Sequence, residues 1–173
     1  PPASWQSRVA ATEDSCQHER KLAGSEVAGY KGYRSGVIRA QVHDQNAWVL
    51  GGVAGNAGLF STAQETALIA AEFLGERGGG RGLLDSGSRD LASCDLTPAL
   101  VEARSFAFRL ALRGETAAGP DLPRQSFGHN GFTGTSVWID PEAARIYVLL
   151  TNRVHPQVVD TVDMVALRRQ FHS

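Results

Sequence analysis

A short polar sequence, His129-Asn130-Gly131, is the part of the chain whose residue types could do chemistry. Imidazole and amide groups can donate or accept hydrogen bonds to a substrate, and near pH 7 a histidine is mostly neutral. The glycine lets another backbone approach closely, and the next residue, Phe132, would present its N–H at the same bend. The alternative is a histidine at a strand end that is bonded to a backbone carbonyl, and the residue types alone favour that alternative.

The segments around this sequence predict three short strands that would position it. Residues 126–129 lead into a glycine-rich bend at 130–134, and the apolar, β-branched residues 135–139 follow. Pro141 ends that strand, because proline cannot donate a hydrogen bond to a ladder. Residues 146–150 are an apolar run without a polar face, which is typical of a strand covered on both sides.

The sequence from His129 to Ser136, with the apolar strand that ends at Asp140-Pro141, resembles a known motif. It is similar to the third motif, Lys-Thr-Gly, of the serine β-lactamase and penicillin-binding-protein superfamily, in particular its class C-like branch. Residues 42–60 and 150–156 resemble the same branch. The resemblance covers nearly all of the chain but only the C-terminal part of the family's domain. It implies an α/β fold of the α+β type, in which an antiparallel sheet is flanked by helices and is here incomplete.

The resemblance also implies a role for each residue of the motif. His129 stands where the family has lysine, so it would act as a hydrogen-bond partner of the substrate rather than as a fixed charge. Asn130 replaces the threonine that meets the substrate carboxylate, and its amide could still donate a hydrogen bond there. Gly131 would leave room for the substrate backbone. The N–H of Phe132 would be one donor of the oxyanion hole.

The nucleophile motif of this superfamily is missing from the chain. The family uses Ser-x-x-Lys, in which the lysine accepts the serine proton on one helix face, but His18 and Ala28 stand three residues before Lys21 and Lys31. Neither Tyr-x-Asn nor Ser-x-Asn occurs. The resemblance therefore implies the C-terminal portion of a serine hydrolase that forms and hydrolyses an acyl-enzyme from a D-alanyl peptide, a β-lactam or an ester. The chain alone would be inactive, and a non-catalytic remnant or ligand-binding module is the alternative.

Composition limits the possible partners and cofactors. Lys+Arg number 17 and Asp+Glu 18, so no basic excess indicates nucleic acid, and no apolar run approaches the roughly 20 residues of a membrane span. Five scattered histidines and two cysteines predict no metal site, and no cofactor is expected. The expected partners are a small-molecule or peptide substrate and the N-terminal part of the same domain. Residues 1–173 would themselves be a single partial domain. The compartment, cytoplasm or cell envelope, stays open.

A second glycine-rich stretch, residues 51–58, invites a nucleotide-binding interpretation. Its spacing is G-x-x-G-x-x-G, however, and not the G-x-G-x-x-G that accommodates a pyrophosphate. We therefore predict a tight buried turn in which Gly55 and Gly58 need a positive φ or a close backbone approach.

Local patterns predict the remaining elements. Ser61 and Gln64 are the predicted capping box of a helix that stops at Gly75. Other predicted elements are an irregular segment at 1–40, a short helix from 83–86, a strand at 106–112, a loop at 114–124 and a helix after Pro156. Arg168 and Arg169 suit the end of that last helix through its dipole, and we assign them no binding role. Among the histidines, His43 is expected to be structural, and His18, His155 and His172 are expected at the surface.

Overall fold

The computed structural model describes residues 1–27, 29–113, 118–159 and 162–173. The chain divides into two compact units, which are described separately. Unit 1 is Pro1–Phe60 with Asn152–Val162, and unit 2 is Ser61–Thr151 with Asp163–Ser173. Parts of the predicted segment 1–40, of the loop 114–124 and of the helix after Pro156 lie outside the described residues.

Helices and antiparallel strands together make up the described chain. The strands are β1 (Ala11–Asp14), β2 (Val37–Arg39), β3 (Arg109–Leu110), β4 (Phe127–Asn130), β5 (Ser136–Asp140) and β6 (Arg145–Leu149). The α-helices are α1 (Gln17–Ala23), α2 (Gln45–Val49), α3 (Ala63–Leu74), α4 (Ser86–Ser93) and α5 (Met164–His172), with 3-10 turns at Ala3–Arg8, Gly24–Val27 and Gly75–Gly78. The predicted fold class, an antiparallel sheet flanked by helices, is confirmed.

Unit 2 contains a four-stranded antiparallel sheet in the order β3-β4-β5-β6. The three strands predicted around the histidine are confirmed as β4, β5 and β6, with Gly128 opposite Trp138 and His129 opposite Val137. β6 is half-buried rather than fully covered, because it lies at the edge of the sheet within the described residues. The predicted strand 106–112 is reduced to the two residues of β3.

The two faces of this sheet carry separate apolar clusters. On one face, α3 packs against the sheet through the cluster Ala70, Phe73, Leu74, Ala103, Phe108, Leu110, Phe127, Val137, Ile139 and Ile146. The other face holds the smaller cluster Ala111, Ala118, Leu122, Trp138 and Tyr147. Neighbouring residues of a strand point to opposite faces, so the two clusters follow from the alternation of side chains along β4 and β5.

Helix α3 begins at a capping box, as predicted, but one residue later. Thr62 is the N-cap and accepts a hydrogen bond from the Glu65 N–H at 3.2 Å, while the Glu65 carboxylate accepts one from the Thr62 N–H at 3.1 Å. The prediction of Ser61 and Gln64 is therefore wrong by one residue. A carboxylate at the third helical position also interacts favourably with the helix dipole. The predicted stop at Gly75 is confirmed.

Three of the other described helices, α2, α4 and α5, begin at aspartate caps. Asp85 accepts a hydrogen bond from the Ser88 N–H at 2.7 Å, so the short helix predicted near residue 86 is confirmed as α4. Asp163 caps α5, which begins at Met164 and so starts later than the pattern after Pro156 predicted. Side-chain oxygens at these positions satisfy N–H groups that the first helical turn leaves unpaired.

Unit 1 holds more regular structure than the sequence predicted. The prediction that residues 1–40 are irregular is wrong, because β1 pairs with β2 and α1 lies between them. Residues 152–156 lie along β1, where the His155 ring nitrogen Nδ1 contacts the Thr12 carbonyl at 2.7 Å and the Asp14 N–H donates to the Pro156 carbonyl at 2.7 Å.

The glycine turn, residues 51–58, also belongs to unit 1 and differs from its prediction. It is half-buried to exposed rather than buried. Gly58 has φ +111° and its added Cβ would lie 2.8 Å from the Gly52 carbonyl oxygen, but Gly55 has no positive φ and open space around it. The expectation therefore holds for Gly58 and is wrong for Gly55.

Among the described helices of the whole chain, none has the length and apolar character to cross a bilayer.

Candidate functional site

The connection between β4 and β5 is a tight turn at residues 131–135, which we name the motif turn. The Gly131 N–H donates to the Thr135 carbonyl at 2.7 Å, and the Gly134 N–H donates to the Gly131 carbonyl at 3.1 Å. A Cβ on Gly131 would collide with Thr135 Oγ1, and Gly134 has φ +104°. The two glycines are therefore needed to close the turn, independently of any substrate.

His129 stands on β4 immediately before the motif turn, with its side chain exposed. Its Nδ1 lies 2.9 Å from the Asn130 carbonyl oxygen. A carbonyl can only accept, so Nδ1 carries the proton and Nε2 is the acceptor nitrogen of the neutral ring. Partial burial lowers the pKa of His129, the hydrogen bond to Asn130 opposes this, and the charges of Arg104 and Arg109 lower it further.

Asn130 is turned to the other face of the sheet. Its Oδ1 accepts a hydrogen bond at 3.1 Å from the indole Nε1 of Trp138, whose side chain is fully buried. The Asn130 Nδ2 atom is also buried, and no partner for it is found among the described residues. Because adjacent strand residues point to opposite faces, the His129 ring and the Asn130 amide do not converge on one point. The structure places the His129 ring against the Asn130 carbonyl, on the strand that leads into the motif turn.

Phe132 is the second residue of the motif turn, with 45% of its surface exposed. In the sequence, Phe132 lies between Gly131 and Gly134 and three residues after His129. The predicted site residues His129, Gly131 and Phe132 therefore lie together at one end of β4, at the surface of unit 2.

Sequence reasoning missed Arg168 of α5. This residue is only 6% exposed, and its Nη2 atom donates to the carbonyls of Gly131 at 3.2 Å and Thr135 at 3.1 Å. The assignment of Arg168 to the helix dipole alone is therefore incomplete. The available signal was the spacing of Met164, Arg168 and His172, since residues four apart share one face of a helix.

His172 was expected at the surface, and that expectation is wrong. It is 4% exposed, its Nδ1 lies 2.7 Å from the Ala118 carbonyl oxygen, and its ring packs against Tyr147. Burial lowers the pKa of His172, the Ala118 carbonyl opposes this, and the Arg168 charge lowers it further.

In the described part of unit 1, Glu13, Glu19 and His43 offer possible metal ligand atoms within 4.8 Å of one another. Glu13 is 1% exposed, accepts from the His18 N–H and lies 3.0 Å from His43 Nε2. These protein contacts engage both carboxylate oxygens of Glu13, and burial raises the pKa of Glu19. The expectation that His43 is a structural histidine is confirmed.

The model of one protein family matches the sequence over residues 1–170, which is nearly the whole chain, and its description is Beta-lactamase. The chain belongs to the Beta-lactamase family. The fold and the motif turn agree with this family, whose third motif the sequence resembles.

Several curated relatives of the chain come from Salmonella strains and are named "Putative D-alanyl-D-alanine carboxypeptidase". The protein from Salmonella gallinarum (strain 287/91 / NCTC 13346) is 33% identical over 158 residues, which cover 88% of this chain and 35% of the relative. Those from Salmonella paratyphi B and Salmonella newport are 33% identical over 161 residues, with the same coverage. The chain thus spans about a third of the length of these relatives. No solved structure matches the chain.

Proposed function

We propose that this chain contributes the substrate-binding third motif of a serine hydrolase that hydrolyses its substrate through an acyl-enzyme. The observation that carries the proposal is the hydrogen bond from His129 Nδ1 to the Asn130 carbonyl, which leaves Nε2 as the acceptor nitrogen two residues before the motif turn. Family membership and the name of the Salmonella relatives support D-alanyl peptides as the substrate class. β-Lactams and simple esters are the alternative substrates.

In this proposal His129 accepts a hydrogen bond from the substrate or from a catalytic hydroxyl. A neutral ring suits that role, because the lowered pKa of His129 leaves Nε2 unprotonated near neutral pH. The motif turn supplies backbone groups at the surface, and the N–H of Phe132 would stabilise the negative charge that develops on the substrate carbonyl oxygen. Preorganised donors of this kind are typically worth about 10² to 10³ in kcat.

Asn130 and Gly131 complete the proposed substrate-binding set. The backbone of Asn130 would border the substrate directly, whereas its side chain would have to leave Trp138 in order to reach the substrate carboxylate. Gly131 keeps the strand end free of a side chain, so a substrate backbone could lie along it. The replacement of threonine by Asn130 weakens the case for β-lactams most, because its amide N–H donates with a different reach from that of a hydroxyl.

A nucleophile has to come from outside the 173 residues, because no Ser-x-x-Lys occurs among them. We propose the N-terminal part of the same domain as its source. The missing motif also favours a second candidate function, a non-catalytic ligand-binding module of the same fold. The coding sequence upstream of Pro1 separates the two: Ser-x-x-Lys followed by Tyr-x-Asn supports the enzyme, and a stop codon or unrelated sequence supports the module.

The proposal is tested with a fluorescent penicillin and a fluorophosphonate, followed by intact mass. The 173-residue chain should form no covalent adduct, and the complete gene product should form a stoichiometric one. An adduct on a serine of the isolated chain would contradict the assignment of the nucleophile to another segment.

The role of His129 is tested in the same complete gene product. His129→Ala should lower kcat/KM for a D-alanyl peptide by about 10²-fold, which is the typical size of such a polar contribution. Gln64→Ala, an exposed change on α3, is the matched control. Equal activity of the two variants would remove His129 from the site.

A further inference from the structure

The buried face of α5 contains an unusual series of residues. Met164, Arg168 and His172 recur every four residues, so they share one helix face, and each is at most 7% exposed. An amphipathic helix normally covers such a face with apolar side chains. Burying a guanidinium costs free energy unless its N–H groups are hydrogen-bonded, so the partners of Arg168 indicate what the residue does.

Two of those partners are carbonyls of the motif turn. Nη2 of Arg168 donates to Gly131 O at 3.2 Å and to Thr135 O at 3.1 Å, although 37 and 33 residues separate the helix from the turn. Both carbonyls already accept a hydrogen bond within the turn, from Gly134 and from Gly131 respectively. A carbonyl oxygen has two lone pairs, so Arg168 occupies the second acceptor position at both ends of the turn.

Met164 adds an apolar contact from the same helix face. A Cβ built on Gly134 would lie 3.2 Å from the Met164 methyl carbon, which shows how closely the helix approaches the turn. Two residues of α5 therefore restrain the turn at both of its ends and at Gly134. Phe132 and Thr133 lie between these restrained positions.

We propose that Arg168 is a positioning residue, which fixes the backbone orientation of Phe132 by bridging the carbonyls of Gly131 and Thr135. The inference rests on the proposed function. A displacement of about 1 Å in a catalytic group can cost about 10²-fold in rate, so a turn held by a buried side chain is expected to be more effective than the same turn closed only by its own two hydrogen bonds. Arg168 touches no substrate and acts through the turn.

The first arm of the test measures hydrogen exchange of the peptide spanning residues 129–136 in the complete gene product. Arg168→Met keeps the stem without donors, and Arg168→Lys restores a charged donor. Exchange should rise about tenfold or more in the Met variant, in line with the loss of hydrogen bonds to a charged group, and should recover largely in the Lys variant. Gln170→Met, an exposed change on the same helix, should leave exchange unchanged.

The second arm measures turnover of a D-alanyl peptide. Arg168→Met should lower kcat by about 10 to 100-fold with a smaller change in KM, and Arg168→Lys should recover most of it. Unchanged exchange in the turn of the Met variant would overturn the proposal, and so would a loss of cooperative unfolding in both variants, because Arg168 would then be a general core residue. If the unmodified protein turns over no D-alanyl peptide, the proposed function fails, while the exchange arm still decides whether Arg168 holds the turn.

Discussion

The motif turn and the glycine turn look alike in sequence and differ in what surrounds them. In the motif turn, side chains occupy the space where a Cβ of Gly131 or Gly134 would stand, and a buried arginine bonds the carbonyls at its ends. In the glycine turn, an added Cβ on Gly51 or Gly55 meets no atom within 4 Å.

This difference shows that two glycine-rich sequences can differ in how closely other atoms surround the backbone. Glycine is required where φ is positive or where other atoms fill the space of a Cβ. Whether a glycine meets either condition depends on the conformation of the turn and on the residues that surround it. The spacing of glycines in the sequence does not reveal these. The following variants test the contrast between the two turns, from the largest expected effect to the smallest.

Gly128→Ala, on β4 next to the motif turn, should be the most damaging substitution. The new Cβ would lie 2.7 Å from the Trp138 Cα atom and would also contact the Val137 carbonyl oxygen. Backbone atoms in a sheet ladder cannot move aside cheaply, so we expect a loss of about 3 kcal/mol in the free energy of unfolding, measured with urea. Gly55→Ala is the control and should stay within about 0.5 kcal/mol. Equal losses in the two variants would show that the contrast between the regions is not real.

Gly58→Ala tests the position of the glycine turn that combines a positive φ with a close backbone approach. Its φ of +111° and the Gly52 carbonyl oxygen, 2.8 Å from the added Cβ, should together cost about 2 kcal/mol, measured by urea unfolding. Gly55→Ala again serves as the comparison. A Gly58 variant as stable as the Gly55 variant would show that the entire turn adapts to a side chain.

Trp138→Phe removes the indole donor that holds the Asn130 side chain beneath the motif turn. The ring stays apolar, but Asn130 Oδ1 loses its 3.1 Å hydrogen bond in a buried position. We expect a loss of about 1 to 3 kcal/mol in the free energy of unfolding, measured by urea unfolding monitored by circular dichroism. Trp5→Phe, at a side chain that is 47% exposed, is the control. No difference between the variants would mean that the Asn130 amide finds another partner.

Mild acid should weaken the helix that holds the motif turn, through His172. Burial lowers the pKa of this ring in the folded protein, so the unfolded chain binds more protons and the free energy of unfolding falls as the pH drops below 6.5, the ordinary value for histidine. The contribution is fully present above that value and is lost as the pH falls through the folded pKa. His172→Asn keeps a donor near the Nδ1 position without titrating, so urea unfolding at a series of pH values should show a flatter profile. An unchanged profile would assign the acid sensitivity to other groups.

The sequence by itself determined the elements whose signals are local. The strands around His129 are predicted from β-branched and apolar runs, one of which ends at Pro141. Helix α3 is predicted from a capping pattern that is misplaced by one residue. Residue types also singled out the motif, because a histidine and glycines at a strand end are uncommon within an apolar segment. Such signals depend on neighbours a few residues apart, which the sequence shows directly.

Only the tertiary structure decided which groups share the site. The sequence assigns Arg168 only to the helix dipole and His172 to the surface, yet both side chains are buried, and they bond carbonyls that lie 33 to 54 residues away. Asn130 follows His129 directly, but strand alternation and the Trp138 indole turn its side chain to the opposite face. The physical reason is that a hydrogen bond between distant segments leaves no periodic pattern in either of them. The sequence therefore indicates what a side chain can do, and the packing of α5 and the sheet determines whether it does so at the site.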